Sequence, residues 1–162
     1  MWRPSVAVRD PSERVGYLIW QLSQAYMQRL ERALGPLGLT QAQFGTLVRL
    51  SRDGALSSAE LARRSGITAQ SMGAALRGLV ERGLVERRPH PTHGKIIEMC
   101  VTPAGEALAL RAETALEPCE QETLEPFQPQ EREQVRSHLR RMLGALNPQA
   151  LGPGDGSRHE GT

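Results

Sequence analysis

The segment from residue 68 to 83, TAQSMGAALRGLVERG, restricts the possible folds of this chain more than any other. Its apolar residues recur at the spacing of one helical face and predict a buried stripe of Met72, Ala75, Leu76, Leu79 and Val80. Thr68 can cap the helix, and Gly83 lies where a chain leaving a helix often needs a positive φ. The opposite face is available to a partner and carries Gln70, Ala74, Arg77 and Glu81.

Taken alone, this segment could be an ordinary amphipathic surface helix, but its neighbours favour a more specific structure. Ser57 and Glu60 have the spacing of a capping box, which predicts a short helix from Ser57 to Ser65. A tight turn containing glycine then leads into the segment above, so the two helices form a helix-turn-helix. Residues 84–88 and 96–102 read as two strands of a hairpin. The order predicts a winged helix.

Basic side chains are concentrated in the same lobe, although the formal net charge of the 162 residues is only +2. Between residues 60 and 95 seven bases stand against three acids, whereas between residues 113 and 133 seven acids stand against one base. This distribution predicts that the lobe meets a polyanion while the acidic helices point away. Aromatic residues, at 4%, are too few for the stacking platforms that bind single strands, so duplex DNA is the favoured partner.

Longer helices are predicted on both sides of the lobe. The run Asp10-Pro11-Ser12-Glu13 supplies a cap, a first-turn proline and a glutamate at the third position, so a helix should begin there and end at Leu34. Thr40 and Gln43 form a capping box for a helix that continues to about residue 50. Thr102 followed by a proline begins another helix after the hairpin.

Proline and glycine divide the remainder of the chain. Pro118 lies inside the helix that follows the hairpin and predicts a kink or break near residues 116 and 117. A last helix should run from Pro129 to about Leu146. Residues 1–11 are expected to be mobile and residues 147–162 to be disordered, because their composition cannot offset the cost of ordering.

The first predicted helix is apolar on two sides. Its main stripe contains Val15, Leu18, Ile19, Leu22, Tyr26 and Leu30, and its second stripe contains Tyr17, Trp20 and Met27. A helix of this kind is usually packed between two bodies. The second body is either another subunit or the rest of the same chain, and the sequence leaves both open.

The hairpin loop, Pro89 to Lys95, should project because its prolines cannot donate ladder hydrogen bonds. With His90, His93 and Lys95 near its tip, it suits the phosphates or minor groove beside a major-groove helix. The alternative is a metal site formed by the two histidines and Cys100. No further ligand follows at a recognisable spacing, so neither a metal nor a cofactor is predicted.

The wording LGLTQAQFGTLVRL, AELARRSGIT, LVERGLVERRPHP and VTPAGEAL, in this order, resembles the MarR family of bacterial transcription regulators over residues 12–146. The resemblance implies a homodimer in which dimerisation helices at about 12–34 and 103–146 interdigitate. It also implies that each subunit offers a winged lobe, about 40–102, to a pseudo-palindromic operator. Such proteins usually repress, and many release DNA when a small aromatic or anionic effector binds.

Two stretches depart from the family pattern. Gly73 and Ala74 stand in the middle of the recognition helix, where relatives commonly carry polar or basic residues. Thr92 to Lys95 stands where the wing commonly has an Asp-x-Arg pattern. Small residues would let the helix backbone approach the groove, with the Ala74 methyl group available to a thymine methyl. The alternative is weak DNA recognition, as in a dimerisation scaffold that has little affinity for DNA.

The candidate roles follow from the residue types. Gln70 and Arg77 are expected to read base edges, with glutamine favouring adenine and arginine favouring guanine. The other candidate DNA contacts, mainly to phosphates or the minor groove, are Ser57, Thr68, Ser71, Ala74, Arg87, Arg88, His90, Thr92, His93 and Lys95. Tyr17, Trp20 and Phe44 are candidates for an effector pocket, although aromatic residues at such positions are more often plain core.

Other classes of protein are disfavoured. No paired carboxylates, nucleophile with a base, or phosphate-binding glycine loop points to an enzyme. No hydrophobic run approaches the roughly 20 residues that cross a bilayer, and no signal segment is apparent, so a cytoplasmic protein is expected. Cys100 and Cys119 have no paired spacing and are expected to be reduced.

Overall fold

The computed structural model of the chain describes residues 10–152. Within that range the fold is mainly α-helical with a small antiparallel sheet, which confirms the predicted fold class. The elements are α1 (Val15–Leu34), α2 (Gln41–Asp53), β1 (Leu56–Ser57), α3 (Ser58–Ser65), α4 (Ala69–Glu81), β2 (Val85–Pro89), β3 (Ile97–Val101), α5 (Pro103–Leu124) and α6 (Pro129–Leu146). None of the described helices is long and apolar enough to span a membrane.

The predicted stripe of α4 forms the centre of the lobe core. Met72 and Leu79 are fully buried, and Val80 is half-buried at the edge of the stripe. They pack with buried residues of the neighbouring elements, Leu47, Leu50, Leu61, Val85 and Met99 among them. Thr46 is also fully buried, and its hydroxyl group donates to the Ala42 carbonyl at 2.7 Å. The core therefore holds the opposite face of α4 outward.

Most of the predicted helix ends are confirmed. Thr40 and Gln43 form the reciprocal capping box of α2, and Thr68 caps α4 by accepting from the Ser71 N–H. Gly83 has the expected positive φ, 68°. Ser57 caps α3 as predicted, but Glu60 does not complete a capping box, because its carboxylate is paired with Arg64 instead.

Two helix predictions were wrong. Asp10 caps a separate 3-10 turn, Pro11–Glu13, and α1 begins only at Val15, because Arg14 takes an extended backbone conformation between them. Of the kink or break predicted at Pro118, the break is wrong, because α5 continues to Leu124, whereas the kink stays a prediction. Proline has no backbone N–H, so the Thr114 carbonyl loses its helical hydrogen bond. Both Thr114 and Pro118 are exposed, so water can satisfy that carbonyl. Helix α2 also extends to Asp53, beyond the predicted end at residue 50.

The sheet contains one strand more than the sequence predicted. The strand order is β1-β3-β2, and Leu56 of β1 pairs with Met99 of β3. Pro89, assigned to the loop from sequence, is the last residue of β2 and is paired with Ile97. A proline is tolerated there because β2 is an edge strand.

The predicted disorder from residue 147 onward was wrong for residues 147–152. Pro148–Leu151 form a 3-10 helix that packs against α3. The Asn147 side chain donates to the Arg63 carbonyl at 3.4 Å, and Arg49 donates to the Ala150 carbonyl at 3.1 Å. Tertiary contacts thus order a segment that has little periodicity of its own. Residues 1–9 and 153–162, predicted to be mobile and disordered, lie outside the described range.

Helix α5 is joined to the lobe at its first turn. The Thr102 hydroxyl caps α5 by accepting from the Gly105 N–H at 3.1 Å, and donates to the Gly83 carbonyl at 2.8 Å. The Thr102 N–H donates to the Leu84 carbonyl at 3.1 Å. A Cβ atom at position 105 would stand 2.1 Å from that Leu84 oxygen, so only glycine allows this approach.

We therefore expect Gly105→Ala to lower the free energy of unfolding by at least about 2 kcal/mol, because the clash is with backbone that cannot turn aside. Gly45→Ala is the matched control, since a Cβ atom at this exposed α2 position meets nothing within 4 Å. That change should stabilise the protein by up to about 1 kcal/mol. Urea unfolding of both variants at one protein concentration tests this. Equal stability of the two would contradict it.

Candidate DNA interface

The exposed face of α4 carries the residues expected to read bases. Gln70, Ala74 and Arg77 are all exposed, at spacings that place them on one side of the helix. The Thr68 hydroxyl group accepts from the Ser71 N–H at 3.1 Å and donates to the Ser71 hydroxyl oxygen at 2.9 Å. Ser71 therefore keeps its own hydroxyl hydrogen for a partner at the amino end of the helix, where the helix dipole favours a phosphate.

Gly73 provides space for Arg77. A Cβ atom at position 73 would stand 3.6 Å from Nη1 of Arg77, so the guanidinium group lies back along α4 over the glycine. Arg77 has no ion pair within residues 10–152, which leaves its donors available. The absence of a side chain at Gly73 thus gives Arg77 a path along the helix.

The stem of the wing presents two further arginines. Arg87 and Arg88 are both exposed near the end of β2. Arg88 pairs with Glu86, although the Arg88 side chain is 63% exposed. Arg87 has no such acidic partner in the described part of the chain. An exposed ion pair contributes little stability and can exchange for a phosphate.

The two histidines of the wing differ in how far they are exposed. Thr92, His93 and Lys95 are exposed beyond the strands. His90 is instead half-buried at the base of the loop, with Nε2 3.5 Å from Oε1 of Glu98. The two rings have centroids 5.1 Å apart. Residues 10–152 contain no group of three or more His, Cys, Asp or Glu side chains that could hold a metal ion.

Two bases of the lobe have internal roles that sequence reasoning missed. Arg82 donates to the Gly38 carbonyl at 2.6 Å and to the Leu37 carbonyl, so it fixes the corner between α1 and α2. Arg64 bonds to Asp53 at 2.9 Å and to Glu60. Burial would lower the pKa of Arg64, but its hydrogen bonds to Glu60 and Asp53 outweigh burial and raise the pKa. A count of basic residues in the sequence does not show which of them are bonded to other groups of the protein.

Comparison with known proteins agrees with this geometry. A family model described as the MarR family matches residues 37–96. The HTH-type transcriptional repressor Rv2887 of Mycobacterium tuberculosis is 37% identical over 133 residues, which cover 82% of this chain and 92% of that protein. The chain belongs to the MarR family.

Solved structures of a MarR-family relative extend the comparison. Rv2887 in complex with DNA matches with a TM-score of 0.68 and 32% identity, covering 80% of this chain and 97% of that one. The same protein in complex with salicylic acid matches with a TM-score of 0.67 and 32% identity, covering 80% of this chain and 96% of that one. The winged-helix fold of the MarR-family chain is therefore shared with a protein that has been seen on DNA.

The three aromatic residues suggested for an effector pocket are not brought together within one subunit. The Tyr17 and Trp20 rings lie 6.1 Å apart on exposed turns of α1. Phe44 packs against the lobe core. A cavity of about 260 Å³ lies between α1 and α5, lined by Leu22, Ala25, Tyr26, Arg29, Glu122 and Thr123. Burial, followed by the charges of Glu120 and Cys119, raises the pKa of Tyr26.

Proposed function

We propose that the protein is a sequence-specific transcription regulator that binds duplex DNA as a homodimeric repressor, and that it has no catalytic role. The observation that carries the proposal is the exposed face of α4, where Arg77 has free donors, flanked by the arginines of the wing. The relative Rv2887 is named a repressor and has been solved with DNA, which supports the assignment. We place its action in the cytoplasm, on an operator with two half-sites.

The proposed roles divide the interface into reading and positioning groups. Gln70 and Arg77 read base edges in the major groove, and Ala74 can contact a thymine methyl group. Phosphate and minor-groove contacts come from the helix ends and the wing: Ser57, Thr68, Ser71, Arg87, Arg88, Thr92, His93 and Lys95. The proposed DNA-binding lobe spans about 40–102, with dimerisation helices at about 12–34 and 103–146.

Selection of duplexes from a random library at two salt concentrations should enrich an inverted repeat, with affinity that falls steeply as salt rises. On that repeat, Arg77→Ala should cost roughly 1–3 kcal/mol and relax the preference at one position in each half-site. Arg141→Ala on α6 removes the same charge outside the lobe and should leave the preference unchanged. A uniform loss across sequences would make Arg77 a phosphate contact, and no enrichment would favour the alternative of a dimerisation scaffold.

The proposed dimer rests on apolar faces that the single chain leaves uncovered. On α1, Val15 is 59% exposed and Trp20 56%. On α6, Leu139 is 49% exposed and Leu146 82%. In a symmetric dimer each subunit presents the same patch, so the exposed faces of α1 and α6 can be covered by the same elements of a second copy. An exposed apolar area of this kind marks an interaction surface.

Leu139→Asp should weaken self-association at least about a hundredfold, because the symmetric dimer would bury the substituted position twice. Light scattering after size-exclusion chromatography at several concentrations measures the change. Ile96→Asp places the same charge on an exposed apolar residue of the wing and should leave the dimer intact. A monomeric wild type, or equal effects of the two substitutions, would refute the proposed interface.

We also propose that a small aromatic acid acts as an effector near α1. Rv2887 has been solved with salicylic acid. Here the exposed Tyr17 and Trp20 rings can stack on such a molecule. Arg29 lines the cavity between α1 and α5, where its half-exposed guanidinium group is paired with Glu122 at 3.4 Å and could exchange that partner for the acid. A dimer partner could complete the site, because these aromatic residues lie on the face proposed to be covered.

In a Trp2→Phe variant, which leaves Trp20 as the single tryptophan, salicylate should quench the fluorescence and weaken operator binding over the same concentration range. Benzyl alcohol, which has the ring without the carboxylate, serves as the control and should do neither. Trp20→Phe in the full chain should reduce the release of DNA by salicylate. Quenching without any change in DNA affinity, or no quenching, would argue against this effector site.

A further inference from the structure

The imidazole ring of His90 is turned into the wing rather than outward. Its Nδ1 atom lies 3.2 Å from the backbone nitrogens of both Thr92 and His93. A backbone N–H group can only donate, so Nδ1 accepts both hydrogen bonds and carries no hydrogen. A ring whose Nδ1 accepts in this way holds its hydrogen on Nε2, which faces the Glu98 carboxylate at 3.5 Å.

The two N–H groups have few other acceptors. The loop is closed by two backbone bonds, from His90 N to the Ile96 carbonyl at 2.8 Å and from Ile96 N to the His93 carbonyl at 2.7 Å. Neither of these engages the N–H groups of Thr92 and His93. The acceptor atom of His90 thus plays the part that an asparagine or aspartate oxygen plays in a turn, where it accepts from the backbone two residues later.

The groups that face the ring favour this arrangement. The Glu98 carboxylate lies 3.5 Å from Nε2 and attracts a hydrogen on that atom, which leaves Nδ1 free to accept. The His93 ring is the other titratable group beside it. Arg88 stands opposite Glu98 in the sheet register, but its guanidinium group pairs with Glu86. The Glu98 carboxylate is therefore left to His90.

We infer that His90 is a positioning residue of the wing: its neutral imidazole ties down the backbone of Thr92 and His93 and so fixes where His93 and Lys95 meet DNA. This role takes the place of the direct phosphate contact expected from sequence. Its effect on affinity rests on the proposed function, whereas its effect on the loop does not.

Three substitutions of His90 distinguish a positioning role from a direct phosphate contact. Asn has an acceptor oxygen one bond from Cγ, as His has Nδ1, so His90→Asn should keep both backbone bonds. His90→Gln moves the acceptor outward by one methylene group, and His90→Ala removes it. His93→Asn changes the exposed histidine of the same loop and is the matched control.

Nitrogen-15 NMR of the wild type at pH 7.5 should show the His90 ring with hydrogen on Nε2 alone. Amide hydrogen exchange at Thr92 and His93 should be about tenfold faster in His90→Ala and His90→Gln, because each loses neutral hydrogen bonds. In His90→Asn and His93→Asn the exchange rates should stay within about twofold of wild type. Affinity for the selected operator duplex, measured by fluorescence anisotropy, should fall about fivefold or more in the Ala and Gln variants and be restored by Asn.

A ring with hydrogen on Nδ1, or an Asn variant that behaves like the Ala variant, would overturn the inference. Equal loss of DNA affinity in all three variants with unchanged amide exchange would also overturn it, and would make His90 a phosphate contact. If the wild type binds no duplex, the proposed function fails, but the tautomer and the exchange rates still decide the role of His90.

Discussion

Thr102 joins three parts of the molecule at one point, through its hydroxyl group and its backbone N–H. By accepting from Gly105 and donating to the Gly83 carbonyl, it ties the start of α5 to the residue that ends the recognition helix. The Thr102 N–H holds the adjacent Leu84 carbonyl, where the wing begins. Because Gly105 lies against that same carbonyl, α5 cannot move without moving the wing and the end of α4.

The other side of the same junction is held by Arg82. Its guanidinium group reaches 44 residues back along the chain to the Gly38 carbonyl, where the backbone has a positive φ of 64°. The end of α4 is therefore fixed to the corner between α1 and α2 as well as to α5. A displacement of α1 or α5 would reach α4 through hydrogen bonds to backbone, which have little freedom to adapt. This geometry would give the proposed effector a physical route from α1 to the exposed face of α4.

The sequence predicted those parts of the fold that depend on local pattern. The stripe of α4, the caps at Thr40 and Thr68 and the turn at Gly83 follow from spacing and backbone preference alone. The two-residue strand β1 is too short to have a period, and Arg82 bonds to carbonyl groups that no side-chain pattern marks. Arg64 and Arg82 were counted in the basic surface, although both are used internally, so the count overstated the charge available to DNA. The turn of His90 into the loop depends on three-dimensional contacts with Glu98 and with backbone N–H groups, which composition does not reveal.

The 3-10 helix after α6 has a consequence for how the parts of the molecule share their stability. Asn147 and Ala150 are hydrogen-bonded to Arg63 and Arg49 of the lobe. They follow directly on α6, whose apolar face is exposed in the single chain. These hydrogen bonds hold the carboxyl end of α6 on α2 and α3 within the single chain, so the position of α6 and that of the lobe are coupled.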